Sequence, residues 1–139
     1  MTIWLAYMNM DACWWRTSIP PITAEEFDRA LTERRGFVVY LWAPWDKEGQ
    51  VFDTWFDEFR LAVADSLTVH SADADSATGL EMCARFQFVT TPTLLFFLGG
   101  ALVGRLDRPR NRVETQSRLR AWREASSGRG DLPSTHQPG

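Results

Sequence analysis

Few residues in this 139-residue chain have the types and spacing to do chemistry, and the thiols come first. The two cysteines, Cys13 and Cys83, stand far apart in sequence, which gives neither a disulfide framework nor zinc-ligand spacing. Cys83 falls on the predicted inner face of a helix, and free cysteine is among the most buried residue types, so a core role is expected for it. Cys13 lies in an aromatic stretch, and its pairing with Cys83 stays open. The acidic run "DADSATG", with His70 nearby, resembles a cation loop. It fails the calcium-loop pattern because Ala77 and Thr78 stand where a ligand and an obligatory glycine are needed. No Gly-rich phosphate loop and no Ser/His/Asp order is present. Catalytic residues, metal ligands and cofactors are therefore all expected to be none.

The elements that would position a site follow from periodicity. "TAEE" carries a capping box, with Thr23 as N-cap and Glu26 three residues on, and the spacing predicts a helix burying Phe27, Ala30 and Leu31 and ending at Gly36. "FVVYLW" (37–42) is an unbroken apolar run, the mark of a central strand covered on both faces. Val51, Phe52, Trp55, Phe56, Phe59 and Val63 recur at helical spacing. "LTVH" reads as a strand and "SADADSATG" as a polar loop. Leu80, Cys83, Ala84 and Phe86 then predict the inner face of a third helix. "TLLFFL" and "ALVGRL" are strands joined by Gly99 and Gly100, a strong hairpin signal. The last helix, around Val113 to Ala125, turns Leu119 and Trp122 inward. This order predicts an α/β domain over 22–125, a mixed central sheet flanked by helices on both faces. Residues 1–21, aromatic-rich and ending in "SIPP", form an N-terminal extension able to supply an edge strand, and 126–139 a disordered tail.

Two stretches carry a family resemblance over roughly residues 22 to 125. "FVVYLWAPW" and "VTTPTLLFFLGG", with the spacing between them, resemble the thioredoxin family, and the resemblance implies a thioredoxin-like fold. In that family "WAPW" runs into a Cys-x-x-Cys at the start of the second helix; here the two positions read Asp46 and Gly49. The resemblance also implies a buried proton-relaying aspartate in the central strand, where this chain has Tyr40. Dithiol exchange by the family mechanism thus lacks both thiols and the relay. Asp46 is a good N-cap residue and supplies negative charge where the family stabilises a thiolate.

The peptide-binding half looks retained: Thr91 and Pro92 match the family's cis-proline loop, and Trp45 flanks the same groove. Asp107 and Arg108, in "LDRPR", replace a Gly-containing loop and make the groove more polar. The expected binding residues are therefore Trp45, Asp46, Thr91, Pro92 and Asp107. They point to a redox-inactive protein that binds an extended segment of a partner protein, as adaptor or specialised chaperone. Hydrogenase maturation chaperones of bacteria are similar in having this fold without the motif, and in that respect only. The alternatives are a thiol-dependent oxidoreductase using Cys13 or Cys83, and an assembly subunit of a larger complex.

Composition restricts the partners. A net charge of −3 argues against a nucleic-acid partner, and a hydrophobic fraction of 45% with seven tryptophans argues against a disordered chain. The longest apolar run, "LLFFLGGALVG", is cut by its Gly pair, and the N-terminus lacks the basic segment of a signal peptide, so neither a membrane span nor export is expected and a cytoplasmic address follows. The arginines of the C-terminal part read as a solvated helix face, and Trp4, Trp14 and Trp15 are expected to fold back over the second helix.

Overall fold

The structure is a computed structural model that describes residues 15–87 and 90–128. Strand β1 (Phe37–Trp42) is buried at all six positions, as is β3 (Thr93–Leu98), and a strand without a solvent face must lie inside a covered sheet. Together with β2 (Thr68–Asp73) and β4 (Ala101–Asp107) they form a four-stranded sheet in the order β2-β1-β3-β4. β1 runs parallel to β2 and antiparallel to β3, with Val39 opposite His70 on one side and Leu95 on the other. The β3–β4 hairpin turns at Gly99 and Gly100, whose φ values of 66° and 85° lie in the left-handed region that glycine enters most readily.

Alternate side chains of β1 feed two cores. Phe37, Val39 and Leu41 meet α1 (Ala24–Thr32) and α3 (Ala77–Phe86), where Phe27 packs edge-on against both Phe37 and the Phe97 stacked upon it. Val38, Tyr40 and Trp42 meet α2 (Lys47–Ala62) and α4 (Arg112–Gly128) through Phe52, Phe56, Leu119 and Trp122. Each aromatic pair of this kind adds about 0.5–1.5 kcal/mol to the burial itself. The result is a thioredoxin-like α/β fold.

The capping box of α1 is formed on both sides, Thr23 Oγ1 accepting from the Glu26 N–H and Glu26 Oε1 from the Thr23 N–H. The helix ends earlier than Gly36: Glu33 is its C-cap and Arg34 takes the left-handed conformation (φ 60°). Gly36 has another constraint, since a Cβ there would lie 2.4 Å from Ser126 Oγ at the end of α4.

Helix α3 is rotated relative to its expected phase. Gly79 and Met82 are buried, Cys83 and Phe86 only partly, while Leu80 (57% exposed) and Ala84 face outward. Gly79 sets this phase, because a Cβ on it would come within 2.0 Å of the Asp73 carbonyl oxygen. The expected polar loop shrinks to three residues, β2 extending to Asp73 and the Ser76 N-cap starting α3. On α2, Val51 is exposed rather than part of the buried stripe.

The segment before α1 packs on the domain. Trp15 and Ile19 belong to the α2/α4-side core, and Ser71 exchanges backbone hydrogen bonds with Pro20 and Ile22. The edge contact stops at one bridge, Pro21 to Ser71, because Pro20 and Pro21 have no N–H to continue a ladder. Trp4, Cys13 and Trp14 lie outside the described residues, as does 129–139. Helix α4 continues to Gly128, so Ser126 to Gly128 are helical rather than tail.

Candidate functional site

The β1–α2 connection brings Asp46 to the N-cap of α2 with an extended backbone (φ −90°, ψ 101°). Its carboxylate does not cap the helix. Asp46 Oδ2 instead accepts a hydrogen bond from Thr91 Oγ1 at 2.7 Å, across 45 residues of sequence. A Cβ on Gly49 would stand 2.9 Å from that same Oδ2, so positions 46 and 49 converge on one point and the carboxylate lies over the bare face of the glycine. Beneath it, the Trp15 indole N–H donates to the Asp46 carbonyl oxygen at 2.8 Å, and its ring lies 5.0 Å from that of Trp42.

The facing wall is the 90–92 loop. Its Thr91–Pro92 peptide bond is cis, and the Pro92 carbonyl oxygen accepts from the Arg108 N–H at 2.7 Å. Among the described residues, the backbone N–H and C=O of Thr91 make no backbone hydrogen bond. Trp45 flanks this point, 52% exposed, with its indole N–H bonded to Asp75 Oδ2. The structure thus assembles Trp45, Asp46, Thr91 and Pro92 in one place. Asp107 faces elsewhere, pairing with Arg105 at 2.8 Å and standing 3.5 Å from Thr93 Oγ1, and its neighbour Arg108 reaches Glu48 instead.

Beside Pro92 opens a cavity of about 270 Å³. Val51, Phe52 and Trp55 of α2 form its floor with Pro92 and Pro109, and Glu48, Arg108 and Arg110 its rim.

Behind the site, the Tyr40 hydroxyl donates to Asp53 Oδ1 at 3.0 Å, and the Thr17 hydroxyl donates to the same oxygen at 2.7 Å. Burial, then the Asp53 charge, hold the phenol far above its ordinary range. Burial also raises the Asp53 carboxyl, against the two hydrogen bonds that lower it. A neutral phenol beside a half-buried acid therefore occupies the place where the resemblance implies a relay aspartate. Cys83 lies across the sheet, half-buried against the α1/α3 core rather than within it, and its thiol is raised by burial and by the charge of Asp75, the opposite of activation. No group of three or more potential metal ligands occurs among the described residues. Within the acidic run, Asp73 Oδ1 accepts from the Asp75 N–H.

Sequence reasoning missed Trp15, Thr17, Glu48 and Asp53 as parts of this site. Their partners lie 31, 36, 60 and 13 residues away, and only the register of the fold reveals such contacts.

A mixed sheet between two helix pairs, with a cis-proline loop facing the start of the second helix, defines the thioredoxin-like class. The thioredoxin family model matches residues 18–121, and the chain belongs to that family. A thioredoxin of Alicyclobacillus acidocaldarius subsp. acidocaldarius is 29% identical over 97 residues, 68% of this chain and 90% of that one. Among solved structures, thioredoxin O2 from Arabidopsis thaliana in the oxidised state matches with a TM-score of 0.61 at 23% identity, over 78% of this chain and 96% of its own. The Malassezia sympodialis thioredoxin Mala s 13 matches with a TM-score of 0.66 at 13% identity, over 78% and 97%. Among the described residues, no helix is long and apolar enough to cross a membrane.

Proposed function

We propose that this family member is redox-inactive and binds an extended segment of a partner protein in the cytoplasm, as an adaptor or specialised chaperone. The observation that carries the reading is the Asp46–Thr91 hydrogen bond at the point where positions 46 and 49 converge. A carboxylate there accepts protons and hydrogen bonds but cannot attack a disulfide, which requires a thiolate. The adjoining backbone of Thr91, unpaired among the described residues, offers one donor and one acceptor to an extended chain, and the exposed face of Trp45 offers apolar contact, the requirements of strand addition. Asp46 favours a basic residue in the bound segment.

The test is capture of a partner from the native host on immobilised full-length protein. Trp45→Ala and Asp46→Lys should weaken capture, whereas Arg118→Glu and Arg123→Glu on α4 should leave it nearly unchanged. The reverse pattern would move the binding site to α4 and leave the site at Asp46 as scaffold.

A second reading, thiol chemistry, has in its favour the name thioredoxin borne by the relative at 29% identity. It would have to run on Cys13 or Cys83. Titration of the native protein with a thiol reagent near neutral pH separates the readings, since an enzyme of this kind needs a thiol that reacts faster than free cysteine.

A further inference from the structure

The cavity beside Pro92 has a chemistry distinct from that of the Asp46 side. At about 270 Å³ it falls just below the roughly 300–1,000 Å³ of small-molecule sites, a size that suits one large side chain. Its floor is left partly open to solvent, Val51 being 64% exposed and Trp55 only partly buried. Its rim is cationic: Arg108 and Arg110 line it, and Arg112 lies 5.6 Å from the centre of the Trp55 ring. The one acid among the lining residues is Glu48, which pairs with Arg108 and lies 3.5 Å from Arg110. These groups are largely exposed, and such ion pairs exchange partners at little cost.

Building on the partner-binding reading above, we propose that this cavity receives an acidic, apolar-anchored part of the bound segment. A large apolar side chain rests on Val51 and Trp55, and an adjacent carboxylate displaces Glu48 from Arg108 and Arg110. The ligand is therefore bipolar. Thr91 is bonded to the Asp46 carboxylate and Pro92 to the backbone of Arg108, so a strand laid along 91–92 meets an anion on one side and a cation on the other. Glu48 acts as an internal competitor that holds the arginines in place until the ligand carboxylate arrives.

The probe is a random-peptide phage library panned on the folded full-length chain. Enriched peptides should place Asp or Glu beside a large apolar residue. A synthetic copy should bind roughly tenfold more weakly to Arg108→Gly and Arg110→Gln, the effect of losing a charge-assisted contact. Glycine suits position 108 because Arg108 has φ 45°, and Arg110 is 73% exposed, so both variants should fold. The sharpest expectation is opposite in sign: Glu48→Gln should tighten binding several-fold by removing the competitor. Enriched peptides that lack an acid, ignore Arg108→Gly and are lost with Trp45→Ala would overturn this inference and leave the partner-binding reading standing. Weaker binding by Glu48→Gln would overturn it too. No enrichment over the bare support would overturn both.

Discussion

The two walls of the groove have departed from the family pattern by different amounts. On the α2 wall, the positions of both thiols are Asp46 and Gly49, and the relay position behind them is Tyr40. On the other wall, Thr91 and Pro92 keep the cis geometry, with the backbone of Thr91 unpaired among the described residues. The Asp46 and Gly49 of the α2 wall replace two thiols while leaving helix start, strand end and core intact, because Asp46 is tolerated at an N-cap and Gly49 needs no space. The 90–92 loop has less latitude, since it fixes both the entry to β3 and the Arg108 hydrogen bond. The difference teaches that the residues at the start of α2 and those of the cis-proline loop sit on separate elements, so one set can change while the other is kept.

The largest effect that could break this contrast is turnover. Insulin disulfides should not be reduced above the reagent blank with dithiothreitol as electron source, and turnover by the unmodified chain would show that a thiol elsewhere does the work of the α2 wall. The double variant Asp46→Cys/Gly49→Cys should regain only weak activity, because the buried Tyr40 phenol stays protonated at working pH. Activity equal to that of an ordinary thioredoxin would show that Tyr40 matters less than argued.

Next in size is the support beneath the α2 wall. Trp15→Ala removes a buried indole and its hydrogen bond to the Asp46 carbonyl oxygen, and should cost about 3–5 kcal/mol in urea or thermal unfolding. A loss below about 1 kcal/mol would make the segment before α1 an accessory rather than part of the fold.

The link between the walls is smaller. Thr91→Val deletes the hydrogen bond to Asp46 and should cost about 1 kcal/mol, a melting shift of about 3 °C for a chain of this size. Asp53 gives the smallest effect, visible as a pH slope. Its folded carboxyl is raised by burial, so the stability it contributes is complete below the unfolded carboxylate range and is lost as pH rises through the folded value. Asp53→Asn should flatten that slope between pH 3 and about 6 in urea unfolding. An unchanged slope would mean that ionised Asp53 is fully compensated by Thr17 and Tyr40.

What the sequence made legible was local or periodic. The capping box, the Gly99–Gly100 turn, the continuous apolar strands and the inward Leu119 and Trp122 all rest on neighbours within a few residues, and from them the fold class follows. The phase of α3 did not, because it is set by the close approach of Gly79 to Asp73, and the six apolar residues of its helix (Ala77, Leu80, Met82, Cys83, Ala84 and Phe86) allow more than one inner face. The end of α1 did not either, since an arginine rather than a glycine takes the left-handed conformation. At the site, the residue types at 45, 46, 91 and 92 were readable through the family motif. The partners that define their chemistry, Trp15 under Asp46 and Glu48 against Arg108, depend on tertiary contacts without a local pattern.

The close approach of Trp15 to Trp42 has an optical consequence. Two indoles with centroids 5.0 Å apart and planes inclined at 50° have coupled electronic transitions, which yield a paired positive and negative band in circular dichroism. Phe96 stacks on Trp122 without a second indole, so that pair gives no such doublet. Docking of the segment before α1 thus carries its own unlabelled signal, and the doublet should vanish in Trp15→Phe while the backbone signal of the domain persists. Because the same Trp15 holds the Asp46 carbonyl oxygen, any ligand that shifts the start of α2 should change that doublet as it binds.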